Sequence, residues 1–131
     1  MIRVTAAIIR KEGRILACRR SYGSCAHLWE FPGGKFEQGE SAFECVTREL
    51  REELNVEIRP LRVFAEYEFS YPDKTIAFTF IEAELVSGEP QLSVHEEMRW
   101  LPANQLMRLE WCPADMRAAE MLSGGVSPQK A

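Results

Sequence analysis

The sequence predicts an α+β domain in which a mixed β-sheet is sandwiched between helices. Three observations lead there: short β-branched runs separated by turn residues, one strongly marked amphipathic helix in mid-chain, and a second helical segment near the end. The 131 residues, 46% hydrophobic and 27% charged, suit one soluble domain around one core. A domain of this size buries roughly two-thirds of its unfolded surface, so folding needs neither disulfides nor a structural metal. We expect a single domain over residues 1–131, with 123–131 as a frayed tail.

Residues 2–9 and 14–19 are apolar runs around Lys11-Glu12-Gly13, the pattern of a β-hairpin. Residues 21–27 are small and polar, as in a loop. After residues 28–31, Pro32-Gly33-Gly34 ends any regular element and leaves backbone groups free to meet a ligand. Over residues 41–54 the helical signals agree: Ser41 as N-cap, Glu44 as its capping-box partner and Asn55 as a left-handed C-cap. At 100° per residue, Phe43, Val46, Leu50 and Leu54 form an apolar stripe, with Glu49, Glu52 and Glu53 on another face roughly 100° away. Residues 56–62 and 63–69 read as two strands, Tyr71-Pro72-Asp73-Lys74 as a turn, and 75–85 as a long strand. A short strand over 96–101, a short helix over 102–107 and a helix over 113–122 opened by Pro113 complete the chain.

The net charge of −4 and the scattered lysines and arginines exclude a duplex nucleic-acid binder, which needs a concentrated basic footprint. Cys18, Cys25, Cys45 and Cys112 lack metal-binding spacing and the density of a secreted disulfide scaffold, so we expect reduced thiols. No apolar run approaches the length needed to span a bilayer, which leads us to expect no membrane partner and a cytoplasmic protein.

Three carboxylates at i, i+3 and i+4 repel one another, which destabilises a helix by a few tenths of a kcal/mol per pair. A hard divalent cation such as Mg²⁺ would offset that repulsion, because it prefers oxygen ligands and leaves positions for water and phosphate. The alternative is a solvated face with ion pairs such as Glu44–Arg48 or Glu49–Arg51, and the glutamates alone leave both readings open.

The wider pattern is Gly34, five residues, Glu40, seven residues, then Arg48-Glu49-Leu50-Arg51-Glu52-Glu53-Leu54-Asn55-Val56. Over these 23 residues the chain resembles the Nudix box, the signature of the Nudix hydrolases. Every charged position is matched, and the one departure is Asn55, where the family usually has glycine. Asparagine tolerates positive φ better than other non-glycine residues, so the turn should survive.

The resemblance implies the Nudix fold, Mg²⁺ or Mn²⁺ as cofactor, metal ligands at Glu49, Glu52 and Glu53, and a further ligand in the carbonyl of Gly33 or Gly34. Glu40 and Arg48 match a pair that braces the loop and helix. Flanking motifs, Leu28-Trp29-Glu30-Phe31-Pro32-Gly33-Gly34-Lys35 and Tyr67-Glu68-Phe69 before Tyr71-Pro72-Asp73-Lys74, are similar to the MutT-like branch. That branch implies hydrolysis of a nucleoside triphosphate, such as 8-oxo-dGTP or a cytidine nucleotide, to the monophosphate and pyrophosphate, with a genome-cleaning role. Lys35 matches a residue near the phosphates. Of Arg19 and Arg20, only one can face the cleft on an alternating strand, and we select Arg20.

Asp115, in Trp111-Cys112-Pro113-Ala114-Asp115, matches the base-reading position. A carboxylate can only accept hydrogen bonds unless protonated, which suits an amino group on a base. Lys74 is a further base-recognition candidate, with Phe31 and Phe78 as stacking partners. A MutT-like enzyme often carries its catalytic glutamate where this chain has Val94; Glu96 and Glu97 follow in the same loop, and of these we select Glu96 as the candidate base, with Glu52 or Glu53 behind it. Two other readings stay open: a Nudix hydrolase of another nucleoside diphosphate derivative, and a non-catalytic nucleotide-binding module. The protein is expected as a monomer or homodimer.

Overall fold

The structure, a computed structural model, describes residues 1–124; the expected fraying of the tail lies, from residue 125 on, outside the described residues. Seven strands form one mixed sheet: β1 (Ile2–Lys11), β2 (Arg14–Arg20), β3 (Trp29–Glu30), β4 (Gly33–Lys35), β5 (Glu57–Tyr71), β6 (Lys74–Ser87) and β7 (His95–Leu101). Helices α1 (Ala42–Leu54) and α2 (Pro113–Leu122) cover its two faces, and a 3-10 turn occupies Ala103–Arg108. The main strand order is β3-β2-β1-β6-β5, with β4 added to β1 and β7 to β2. The pairing of β1 with β6 is parallel and the others are antiparallel, which makes the sheet mixed.

Strand β1 lies under both helical layers, which explains why its sequence is a continuous apolar run instead of an alternating one. Ala7 and Ile9 pack with Val46, Leu50 and Leu54 of α1, whereas Ala6 and Ile8 pack with Phe80, Ala118 and Ala119 on the other face. The β1–β2 hairpin turns through Glu12 and Gly13, both at positive φ (53° and 76°), the backbone that keeps a two-residue hairpin in step with strand twist. The two strands pair only at Arg10–Ile15 and Lys11–Arg14. Beyond that they separate, and β4 and β7 take up their free edges.

Helix α1 starts and stops as its sequence dictates. Ser41 Oγ accepts from the Glu44 amide at 3.1 Å, and Glu44 Oε1 accepts from the Ser41 amide at 2.9 Å, completing the capping box. Asn55 closes the helix in the left-handed region at φ 57°, ψ 42°. Phe43, expected in the apolar stripe, is instead exposed in the first turn; Cys45 is the buried residue there, with its Sγ 3.2 Å from Thr5 Oγ1 on β1.

Two further readings are corrected. The two strands expected over 56–69 are one strand, β5, because no turn residue separates Arg62 from Val63; register shifts at 57–58, 60–62 and 63–65 absorb Pro60 without ending the pairing. Pro32-Gly33-Gly34 does not stay free of regular structure either, since Gly33, Gly34 and Lys35 pair with Ala6, Thr5 and Val4. A Cβ on Gly33 would run into the Thr5 carbonyl, so this approach of strand to strand requires glycine.

The left-handed backbone at Asn55 sets a clear expectation. Asn55→Ala should lower stability by about 1 kcal/mol, while Asn55→Gly should equal or exceed the parent. Urea unfolding of the three proteins, compared at constant m, measures both.

Candidate functional site

The centre of the site is the junction of α1 with the loop that precedes it. Arg48 grips Glu40 through two parallel bonds, Nε to Oε2 at 2.6 Å and Nη2 to Oε1 at 3.0 Å. Its Nη2 also donates to the Lys35 carbonyl at 3.0 Å, so one guanidinium ties α1, β4 and the intervening loop together. Hydrogen bonds from Arg48 and from the Glu37 amide hold the Glu40 carboxyl down at about 2.

Arg48 Nη1 stands 3.0 Å from Glu49 Oε1 and 3.0 Å from Glu52 Oε1. The pairings Glu44–Arg48 and Glu49–Arg51 raised from the sequence do not form, because Glu44 caps the helix and Arg51 pairs with Glu57. Glu53 has no such partner among the described residues: its Oε1 is buried without a hydrogen bond there. Burial first, then the charges of Glu30 and Glu49, push its carboxyl up to about 8.

These groups fit a hard divalent cation. Every available donor is an oxygen, Glu53 carries an unpartnered buried one, and Gly34 has no side chain where the Glu49 carboxylate packs, since a Cβ would overlap it. Among the described residues no three carboxylate, thiol or imidazole groups already converge on a single ligation point. Arg48 explains this, because it supplies the positive charge that Glu49 and Glu52 face.

Beside this acidic face lies a cavity of about 530 Å³. Its walls come from β1, β4, the β5–β6 turn and β6, with Arg20 from β2, Glu30 from β3, and Cys112 and Asp115 at the start of α2. Of the candidate site residues from the sequence, Arg20, Phe31, Gly33, Gly34, Lys35, Lys74, Phe78 and Asp115 line it. Arg19 does not; it pairs with Glu96 and Glu97 at 2.9 and 3.2 Å.

Asp115 is buried, and Oδ2 accepts from the Phe31 amide at 3.0 Å. Desolvation, followed by the nearby Glu30 charge, raises its carboxyl well above the usual range, against the opposing pull of that amide and Arg20. A carboxyl that carries a proton both donates and accepts, so this upward shift weakens the reason for favouring a base with an exocyclic amino group. The Phe31 ring is stacked on Trp111 at 4.6 Å and meets Phe80 edge-on at 6.3 Å, which makes it core with one face already covered. Phe78 stacks on Phe80 at 5.8 Å, and the Lys74 ammonium lies 5.8 Å from the Tyr71 ring.

Glu96 is not brought to the cavity. The β2–β7 register runs Arg19–Glu97 and then Arg20–His95, so Glu96 is the extra residue of a bulge and its carboxylate meets Arg19 and His27, both at 2.9 Å. The bulge turns His95, not Glu96, inward. Sequence reasoning missed Glu30, which lines the cavity, bonds Arg20 at 3.0 Å and His95 at 2.8 Å, and acts on both Glu53 and Asp115. A signal existed: a lone charge between Trp29 and Phe31 in an otherwise apolar run has to find partners when that run is buried.

The loop–helix brace, the acidic face and the adjoining cavity set what comparison with known proteins must match. Residues 1–121 match the model of the NUDIX domain. The chain belongs to the Nudix family. It is accordingly a hydrolase of phosphoric anhydride bonds. It is 33% identical to the CTP pyrophosphohydrolase of Escherichia coli (strain K12), over 92% of this chain and 90% of that one. It is also 33% identical to an 8-oxo-dGTP diphosphatase of Haemophilus influenzae, over 93% and 91%. The crystal structure of a MutT protein from Methanosarcina mazei Go1 superposes with a TM-score of 0.81 at 30% identity, covering 94% of this chain and 93% of the other. No helix among the described residues is long and apolar enough to cross a membrane.

The raised carboxyl of Glu53 has a measurable sign. Between its ordinary value of 4.5 and about 8 the folded state holds a proton that the unfolded chain has released. Metal-free stability should therefore fall as pH rises through that window, by at most about 1.4 kcal/mol per pH unit from this group. Asp115 contributes in the same direction, so the difference between parent and Glu53→Gln isolates Glu53. Thermal melts in chelator from pH 5 to 9 should show the flatter profile in the variant.

Proposed function

We propose that the protein is a Mg²⁺-dependent nucleoside triphosphate pyrophosphohydrolase of the MutT-like kind, releasing nucleoside monophosphate and pyrophosphate. The observation that carries this reading is the continuity of the cavity: Asp115 and Phe78 line it together with Arg20, Lys35 and Gly34, and Gly34 abuts Glu49. A base bound beside Asp115 would have its phosphates led past two cations to the acidic face. Similarity to a CTP pyrophosphohydrolase and to an 8-oxo-dGTP diphosphatase supports a triphosphate substrate of either base class.

Glu49, Glu52 and Glu53, with the Gly33 or Gly34 carbonyl, would hold Mg²⁺, or Mn²⁺ in its place. When bound, the ion screens the triphosphate and makes an attacking water more acidic. Glu53 would take the water's proton in its ionised form, which a bound cation favours over the protonated form that burial favours in its absence. Arg20 and Lys35 bind phosphate oxygens, and Lys35 stabilises charge on the departing group. Glu40 and Arg48 brace the loop. Asp115 reads the base edge through its buried carboxyl, with Phe78 and Lys74 beside it and Phe31 contributing its amide as the anchor of Asp115. Protein, Mg²⁺ and nucleotide monomer suffice for this chemistry.

Incubation with Mg²⁺ and a panel of normal, oxidised and methylated triphosphates should release pyrophosphate from at least one, whereas release of orthophosphate alone, or of nothing, refutes the reading. On the best substrate Glu53→Gln should lower kcat by at least about 100-fold. Asp115 gives a separate expectation: Asp115→Asn, which keeps donor and acceptor, should hold KM within about threefold, while Asp115→Ala should raise it about tenfold. Steady-state kinetics at pH 7 on that substrate decide between them.

A further inference from the structure

His95 is a buried histidine at the start of β7, placed opposite Arg20 by the same bulge that expels Glu96. Its Nε2 donates to Glu30 Oε2 at 2.8 Å, and Glu30 Oε1 accepts from Arg20 Nη1 at 3.0 Å. His95 Nδ1 is buried and has no partner among the described residues, so the Glu30 bond is the ring's one polar tie there. Arg20 Nε is likewise buried without a partner, and Arg20 forms part of the cavity wall. The three side chains thus make a relay from a core position to a cation on the cavity.

The electrostatics show why a relay is needed. Glu30 raises the carboxyls of both Glu53 and Asp115, so it lies among like charges. A carboxylate there held only by Arg20 is free to rotate and to occupy the guanidinium donors that a phosphate would use. Anchoring one oxygen on His95 confines the other to Nη1 and leaves the rest of Arg20 available.

We propose that His95 is a positioning residue, which by fixing Glu30 aims the Arg20 guanidinium at the phosphates and so sets affinity for the polyphosphate chain. This rests on the reading of Arg20 as a phosphate ligand.

The test compares full-length His95→Leu, which keeps bulk and loses the donor, with His95→Gln, which keeps an N–H donor near the position of Nε2. Binding of inorganic tripolyphosphate with Mg²⁺ is measured by calorimetry, and KM and kcat on the parent's best triphosphate by steady-state assay. His95→Leu should weaken tripolyphosphate binding and raise KM by about tenfold with kcat within about threefold, and His95→Gln should restore both. Arg20→Ala should weaken binding at least as much, and combining it with His95→Leu should add nothing further. Should His95→Leu fail to fold, Glu30→Gln reads the same relay and should match Arg20→Ala. Unchanged binding in His95→Leu beside a weakened Arg20→Ala overturns the proposal alone, as do losses that add in full. Unchanged binding in Arg20→Ala overturns the phosphate reading of Arg20 and this proposal with it.

Discussion

The arrangement depends first on the doubly bonded pair of Arg48 and Glu40. An isolated surface ion pair contributes little, because it is screened and costs side-chain entropy. Here the guanidinium is mostly covered, fork-shaped and shared among Glu40, the Lys35 carbonyl, Glu49 and Glu52. It therefore fixes a geometry more than it adds stability: the loop, β4 and α1 cannot shift relative to one another without breaking several charged bonds. Gly34 and Lys35 are delivered to the acidic face by that constraint.

Carboxylate crowding is the second organising fact. Glu30, Glu49, Glu52, Glu53 and Asp115 lie on or beside one cavity in a protein whose net charge is already −4. The molecule manages this in three ways. Glu49 and Glu52 share Arg48, Glu30 is held between Arg20 and His95, and Glu53 and Asp115 are pushed by burial toward their neutral forms. A divalent cation held there, as proposed, would replace the proton on Glu53 with a stronger positive charge and so couple metal binding to proton release.

Helix α1 was legible because its information is local. Ser41, Glu44 and Asn55 act on backbone groups a few residues away, and the charged positions of residues 34–56 lie on one helix and the loop before it. The cavity was legible only where a residue type advertises a role, as Arg20, Lys35 and Asp115 do. Glu30 and His95 escaped notice because their bond joins residues 65 positions apart through β3, β2 and β7. Glu96 was chosen for its nearness to Val94 in the chain, and the bulge that turns it away from the cavity has no local signal. The split of β5 between residues 62 and 63 failed because no turn residue stands there, and irregular pairing carries the outer strand past Pro60 as well.

The parallel pairing of β1 with β6 governs the order in which the molecule can be built. Ile2 meets Ile76 and Arg10 meets Glu84, so the middle of the sheet joins segments more than 70 residues apart. Helix α1 and the β5–β6 hairpin close over short separations and can form early, whereas β1 has to wait for β6 to emerge. Until then its buried apolar run has neither its neighbour in the sheet nor a complete core beneath it. Because both strands wall the cavity, a chain interrupted before residue 74 would carry the complete glutamate signature with no pocket for a substrate.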